Sequence, residues 1–292
     1  MSLNDMKLRA DQFLVSRGLA VSLEKARAMI MAGLVSSGGE QVDKAGATLD
    51  AEAEIVIKKT LPYVSRAGAK LAQALDVFGV DPAGKVVVDV GASTGGFTDC
   101  LLQRGANKVY AVDVDTKQLD WRLGRDERVV FLEKNARNLV PGDFEERPDL
   151  ITLDLSFISI LKVLPALKNI LAGGIARAKE DDLSRIGADG SIETGVGRGE
   201  SGGLLLALIK PQFEADRRQV GKAGVVHDPA VHAEVLQRIV TGAEEAGFRA
   251  RGLVRCATRG RRGNREFFAH FSLRGDRSAA VSAWIKEVIG DD

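Results

Sequence analysis

Five continuous apolar runs constrain the fold most. From Ala67 onward the chain reads KVVVDV (85–90), KVYAVDV (108–114), RVVFL (128–132), DLITLD (149–154) and LLLALIK (204–210), with helical or loop segments between. Strands apolar on both faces belong inside a sheet covered on both sides, and helical crossovers make such a sheet parallel. Two more runs, ARGLVRCA (250–257) and REFFAHFSL (265–273), flank RGRRGN. Strands joined by so short a Gly-containing loop pair as a hairpin, which predicts an antiparallel last strand. The expected class is α/β, with a mostly parallel Rossmann-like sheet and a helix over Ala67–Phe78 leading into its first strand.

Residues 1–60 read differently. Lys7–Arg17 and Ser22–Ala32 carry helix-period apolar residues, Leu8, Phe13 and Leu14, then Ala26, Met29 and Ile30. Ser22 suits a helix start and Gly33 a helix end. Short β-like pieces follow at Leu34–Ser36 and Glu54–Lys58, parted by the Gly38-Gly39 turn. The expected division is a small α+β domain over 1–60, a linker over 61–65 around Pro62, and a larger domain over 66–292. Within the larger one, 173–200 holds seven glycines in 28 residues. A structureless stretch of that length is unusual in a compact domain, so a mobile surface insertion is expected there.

Composition excludes several classes. No apolar run approaches the ~20 residues that span a bilayer, and MSLNDMKLRADQF has no signal-peptide core. Cys100 and Cys256 have no metal-like or redox-like spacing. His227 and His232 are five apart, off the spacing of a helical zinc pair, and are expected at the surface. A cytoplasmic protein without a metal and without a membrane association is expected. The formal charge of +1 argues against a nucleic-acid partner only as a total. The segment 251–277 has eight arginines against Glu266 and Asp276, or +6, while 173–200 contributes −2.

DVGASTGGFT (89–98) follows a strand and opens a helix. Gly91 permits a tight turn, and Gly95 and Gly96 permit close backbone approach to a ligand. Ser93 occupies the second glycine position of the dinucleotide pattern GxGxxG, which disfavours a nicotinamide-dependent oxidoreductase. Asp89 before the turn suits a cationic, amino-acid-bearing cofactor better than a pyrophosphate. The pattern resembles motif I of class I S-adenosylmethionine-dependent methyltransferases, which makes Asp89, Gly91, Ser93, Thr94, Gly95, Gly96 and Phe97 candidate cofactor residues. Asp113, ending the second strand, can accept ribose hydroxyls, with Asp115 a competitor. Asn135, after the third strand, can bond an adenine edge or simply form a turn.

Ligands of doubly wound sheets bind beyond the carboxyl ends of the strands. Asp154 ends the fourth strand and Lys210 the fifth. Glu266 opens the antiparallel last strand, so it starts at the same edge. Lys70 is expected in the first turn of the helix Ala67–Phe78, whose N-terminus lies there too. Topology thus gathers Lys70, Asp154, Lys210 and Glu266, with Asp154 also adjoining the cofactor. Two lysines and two carboxylates in a cleft suit proton abstraction. A lysine serves as base for a weakly acidic hydroxyl only where burial or a nearby cation lowers its pKa. Ordinary salt bridges at a sheet edge are the plainer reading.

YVSRAGAKL, DVGASTGGFTDCLLQRGA, DLSFIS, LIKPQFE and GNREFF resemble the TlyA family. These are bacterial ribosomal RNA 2′-O-methyltransferases, historically labelled hemolysins, with a catalytic domain similar to FtsJ (RrmJ). LRADQFLVSRGLAVSLEKARAMIMAGLV resembles the RNA-binding domain named after ribosomal small-subunit protein S-four. The resemblance spans nearly the whole chain except 173–200. It implies a catalytic tetrad of Lys70, Asp154, Lys210 and Glu266 with Lys210 as base. It also implies S-adenosylmethionine as cofactor, ribosomal RNA or ribosomal subunits as partner, and methyl transfer to a cytidine 2′-hydroxyl. No stable protein partner is implied.

Phosphate contacts are expected from Arg259, Arg261 and Arg262 at the hairpin tip and from Arg9, Arg17, Lys25 and Arg27 in the first domain. An aromatic content of 5% fits shape-reading of folded RNA better than single-strand stacking. Two other functions compete. One is a non-catalytic RNA-binding or ribosome-associated protein, opposed by the filled tetrad. The other is membrane lysis, opposed by the lack of a Lys-rich amphipathic helix.

Overall fold

The computed structural model describes residues 7–31, 33–57, 62–172 and 203–290. The expected insertion at 173–200 lies outside them. The chain divides into two units, Met1–Leu61 and Pro62–Asp292.

In the first unit, β1 (Lys7–Arg9) precedes helices α1 (Ala10–Ser16) and α2 (Leu23–Met31). The strands β2 (Val35–Ser37), β3 (Glu40–Gln41), β4 (Thr48–Asp50) and β5 (Ile55–Ile57) follow. Phe13, Leu14, Ala26, Ile30, Val35 and Leu49 form the core, with Leu8 and Met29 packed on it. Ser22 Oγ accepts from Lys25 N at 3.2 Å, capping α2 as expected. The helix expected over Lys7–Arg17 starts later, because Lys7–Arg9 pair antiparallel with β4. β2 lies between β3 and β5 in a three-stranded sheet.

The second unit begins sooner than the sequence suggested. Tyr63, Val64 and Ser65, read as linker, pack on it. Val64 N donates to Asp99 Oδ2 at 2.8 Å, and Ser65 Oγ accepts from Ala67 N to cap α3 (Arg66–Phe78). Then come β6 (Val86–Val90), α4 (Gly96–Gln103), β7 (Lys108–Asp113), β8 (Val129–Glu133), β9 (Leu150–Leu153) and α5 (164–172). Next are β10 (Leu204–Ile209), α6 (Pro211–Glu214), α7 (Pro229–Glu245), β11 (Arg249–Arg255), β12 (Phe267–Ser272) and α8 (Val281–Ile289).

The seven strands are ordered β11-β12-β10-β9-β6-β7-β8. The run from β10 to β8 is parallel, while β12 is antiparallel to both β10 and β11. One core holds residues of α3 and α4 on the sheet, the other residues of α5, α7 and α8. Burial from both sides is why β6 is VVVDV, closed to solvent at every position. The adjacent reversal between β6 and β9 is the switch point at which such sheets bind ligands.

His232 departs from expectation. It is 1% exposed, with Nε2 3.1 Å from Val226 O and its ring edge-on to Phe267. It sits on the inward face of α7, and burial disfavours its charged form.

Candidate active site

The turn after β6 is shaped by steric limits. Gly91 and Gly95 have φ of 87° and 89°, a region open mainly to glycine. A Cβ on Gly91 would collide with the Asp154 carbonyl, and one on Gly95 with Leu123. Ser93, between them, has φ 48°. Its N–H donates to Asp113 Oδ2 at 2.8 Å, tying the turn to the end of β7. Ser93 and Thr94 are exposed, while Gly96 and Phe97 are buried in the first turn of α4. The Phe97 ring lies in the core against Phe268, so only its backbone faces the turn.

Asp89 is fully buried and accepts from Thr98 Oγ1 at 2.7 Å and Thr152 Oγ1 at 3.1 Å. It ties the end of β6 to the first turn of α4 and to β9. Burial pushes its carboxyl up to about 7, against the pull of those hydroxyls. Asp113 is half-buried and bonds Ser93 N and Asp115 N, which leaves acceptor capacity for a diol. Asn135 Oδ1 takes Arg137 N at 3.0 Å, so a turn role is realised and its amide NH₂ remains for a ligand.

The four tetrad residues do converge. Asp154 and Lys210 follow β9 and β10 directly, and Glu266 precedes β12. Lys70 is the fifth residue of α3, one residue deeper than expected, because the helix starts at Arg66. Lys70 Nζ donates to Glu266 Oε2 at 2.5 Å, with the two side chains 10% and 3% exposed. Lys210 Nζ is 2.6 Å from Asp154 Oδ1, with 14% and 18% exposure. The second contact is an ion pair by distance, since Asp154 Oδ1 receives no aligned hydrogen bond. Burial pushes the Asp154 carboxyl up, Lys210 draws it down, and Glu266 and Lys70 also act on it. The four groups are therefore one electrostatic cluster.

Several neighbours escaped the sequence reading. Lys210 Nζ also donates to Ser156 Oγ at 3.1 Å, and Gln212 Nε2 to Glu266 Oε1 at 3.3 Å. Phe157 is 87% exposed at φ 66°, and its ring meets that of Phe213 at a tilt of 50°, with centroids 4.8 Å apart. Lys210 Nζ sits 5.8 Å from the Phe213 ring centre. The signal for Phe157 was a large aromatic in a polar turn directly after a candidate catalytic acid. Among the described residues, the only non-glycines with positive φ are Ser93, Phe157 and Arg262, two in the turns at this edge and one in the hairpin tip before Glu266. Strain of ~1–3 kcal/mol each tends to collect at functional sites.

That tip is built on Asn264, 2% exposed. Its Oδ1 accepts from Val226 N, and its amide donates to Gly224 O and Arg261 O. Arg259, Arg261 and Arg262 are exposed, but Arg262 Nη1 is engaged by Ala223 O at 2.8 Å. In the first unit Arg9 and Arg27 both bind Asp11, and Arg17 donates to Ala51 O over the Phe13 ring. Lys25 is exposed on α2. Both cysteines are buried, and burial pushes their thiols up to about 11 and about 12, which leaves no ready thiolate nucleophile. Among the described residues no His, Cys, Asp and Glu group is arranged to hold a metal, and no helix is long and apolar enough to cross a membrane.

The FtsJ-like methyltransferase family model matches residues 63–273, and the S4 domain model matches residues 8–55. The 16S/23S rRNA (cytidine-2′-O)-methyltransferase TlyA of Mycobacterium tuberculosis is 39% identical over 278 residues, 94% of this chain and 93% of that one. The chain belongs to the TlyA family. Another relative, Hemolysin A of Brachyspira hyodysenteriae, is 36% identical over 91% of this chain and 100% of its own. The solved structure of a protein named a hemolysin, from Streptococcus thermophilus, is 38% identical, covers 99% of this chain and 95% of that one, and has a TM-score of 0.67. TlyA-family membership accounts for the two units together, an S4 domain and an FtsJ-like methyltransferase body.

Proposed function

We propose that this chain transfers a methyl group from S-adenosylmethionine to a cytidine 2′-hydroxyl of ribosomal RNA, with Lys210 as general base. The observation that carries the reading is the paired arrangement Lys70–Glu266 and Lys210–Asp154, beside a strained glycine turn at the sheet's switch point. S-adenosylmethionine, when bound, supplies an electrophilic methyl group. The backbone of 91–97 would receive its amino-acid end, Asp113 its ribose hydroxyls and Asn135 its adenine. A half-buried carboxylate with spare acceptor capacity at the end of β7 fits a diol.

Lys210 Nζ takes the hydroxyl proton as the ribose oxygen attacks. The ammonium so formed faces Asp154 Oδ1, 2.6 Å away. Burial raises the proton affinity of Asp154, which brings the neutral amine–acid pair closer in energy to the ion pair than it is in water. Glu266 offsets the charge of Lys70 at 2.5 Å and keeps two cations from crowding the reacting oxygen. Phe157 and Phe213 offer a π-surface beside Lys210 on which an unstacked base can rest. Positioning and electrostatics supply most of the rate.

The names of relatives acting on cytidine 2′-oxygens support the nucleoside, and a ribosomal RNA substrate fits a cytoplasmic reaction. The test is transfer of labelled methyl groups to isolated small and large ribosomal subunits. The parent chain should label RNA in at least one of them. Lys210→Ala should bind S-adenosylmethionine in calorimetry and label none. Substantial labelling by that variant would remove Lys210 from the role of base.

A further inference from the structure

Asp11 is a charged side chain that neither the fold nor the active site explains. It stands in the first turn of α1 with its side chain 1% exposed. Four hydrogen bonds fill its carboxylate. Oδ1 accepts from Gln12 N at 3.0 Å and Arg9 Nε at 3.1 Å. Oδ2 accepts from Arg9 Nη2 at 3.1 Å and Arg27 Nε at 2.9 Å. Both arginines hold the Asp11 carboxyl well below the usual range, so it stays ionised. Yet the arginine side chains are 51% and 53% exposed.

One carboxylate thus answers two guanidiniums and leaves a single positive charge. The anchoring uses Nε of both arginines and one terminal nitrogen of Arg9. Among the described residues, Arg9 Nη1 and both terminal nitrogens of Arg27 have no hydrogen-bond partner of their own. Those nitrogens form two donor edges, side by side and half in solvent. A monoanion with several acceptor oxygens fits them, and a phosphodiester is such a group. The unit has no general positive field to do this work, since residues 1–61 carry eight basic and eight acidic side chains. Holding an anion there depends on how particular guanidiniums are presented.

We propose that Asp11 is a positioning residue that holds Arg9 and Arg27 together so that their outward edges take one RNA phosphodiester. The inference rests on the reading of ribosomal RNA as substrate. It makes a prediction that net charge alone reverses. Removing an acidic group should strengthen binding to RNA if charge were all that mattered. Freeing two ordered arginines should weaken it, by about tenfold.

The experiment uses the full chain and isolated ribosomal subunits. KM for subunits, kcat and cofactor affinity are measured for the parent, Asp11→Asn, the pair Arg9→Gln/Arg27→Gln, and the triple variant, over a range of KCl. Asp11→Asn should raise KM about tenfold and leave kcat and cofactor affinity unchanged. The arginine pair should do the same and reduce the salt slope of log KM by about one to two. Adding Asp11→Asn to the arginine pair should cost nothing further. A KM for Asp11→Asn equal to or below the parent's overturns the proposal. So does a further rise of KM in the triple variant beyond that of the arginine pair, or unfolding of the first unit by circular dichroism in Asp11→Asn, either of which marks a purely structural role for Asp11. If the parent labels no subunit at all, it is the ribosomal RNA reading that fails.

Discussion

Gly260→Ala probes how tightly the site is built, because the atoms nearest the new methyl group all belong to the Glu266 carboxylate. Gly260 has φ −72° and ψ −167°, an extended backbone open to any residue, so the substitution brings no conformational penalty. Its Cβ would overlap the carboxylate of Glu266. That carboxylate cannot swing away freely, being held by Lys70 at 2.5 Å and Gln212 at 3.3 Å and only 3% exposed. A retreat of roughly 1 Å takes it out of hydrogen-bond range of Lys70 Nζ. Overpacking of this kind costs about 1–3 kcal/mol of stability. A displacement of roughly 1 Å at a reacting centre costs about 100-fold in rate, equivalent to about 2.7 kcal/mol of barrier. The expected result is therefore a kcat/KM for subunit methylation about 100-fold down, with cofactor affinity in calorimetry unchanged. Gly142→Ala, where a Cβ meets nothing within 4 Å, is the matched control and should retain full activity. Parent-like kcat/KM in Gly260→Ala would show that the Lys70–Glu266 geometry does not matter to the reaction.

Other outcomes follow from the same geometry. Phe157→Ala should lower kcat/KM by about 5- to 150-fold, the worth of one base stacked on an aromatic ring, while Phe157→Tyr stays within a few-fold; equal activity of all three removes the stacking role. Asp89 holds its proton to about pH 7 in the fold, against roughly 3.9 when unfolded. Its contribution is therefore full below pH ~4 and lost as pH rises towards 7. Asp89→Asn removes that loss, so in urea unfolding the variant should gain on the parent by on the order of 1–4 kcal/mol between pH 4.5 and 7.5. A gap that stays flat with pH would mean Asp89 ionises freely. Gly91→Ala should abolish cofactor binding, since its φ of 87° and the Asp154 carbonyl both exclude a side chain; binding retained in calorimetry would mean the turn adapts.

The sheet was legible because its strands advertise themselves. KVVVDV and LLLALIK are apolar at consecutive positions, which only a doubly covered strand tolerates, and each observed strand lies within a residue or two of its run. The tetrad was legible because topology assigns strand ends to one edge. Lys70 lies one residue deeper than expected, since helix starts are set by caps, here Ser65, that periodicity does not locate. Burial was the less legible quantity. Asp89 and Phe97 look like ligand contacts in the glycine loop, yet one is enclosed by Thr98 and Thr152 and the other packs on Phe268. His232 looked like a surface residue and lies on the inward face of α7. Lys7–Arg9 read as helix because Leu8 fits the period, whereas the pairing with Thr48–Asp50 joins residues 39 to 43 positions apart in the chain. The pairing of two arginines on Asp11 left a trace only in hindsight, in an acid placed between the basic residues of the first unit.

The proposed reaction stands or falls on the atom that receives the methyl group. Subunits labelled with methyl-tritiated S-adenosylmethionine by the full chain, digested to nucleosides and separated, locate the label directly. Label is expected in 2′-O-methylcytidine, at a ribose that resists alkaline cleavage, and none with Lys210→Ala. Label on a base ring atom, or on ribose at undiminished rate in Lys210→Ala, would contradict it.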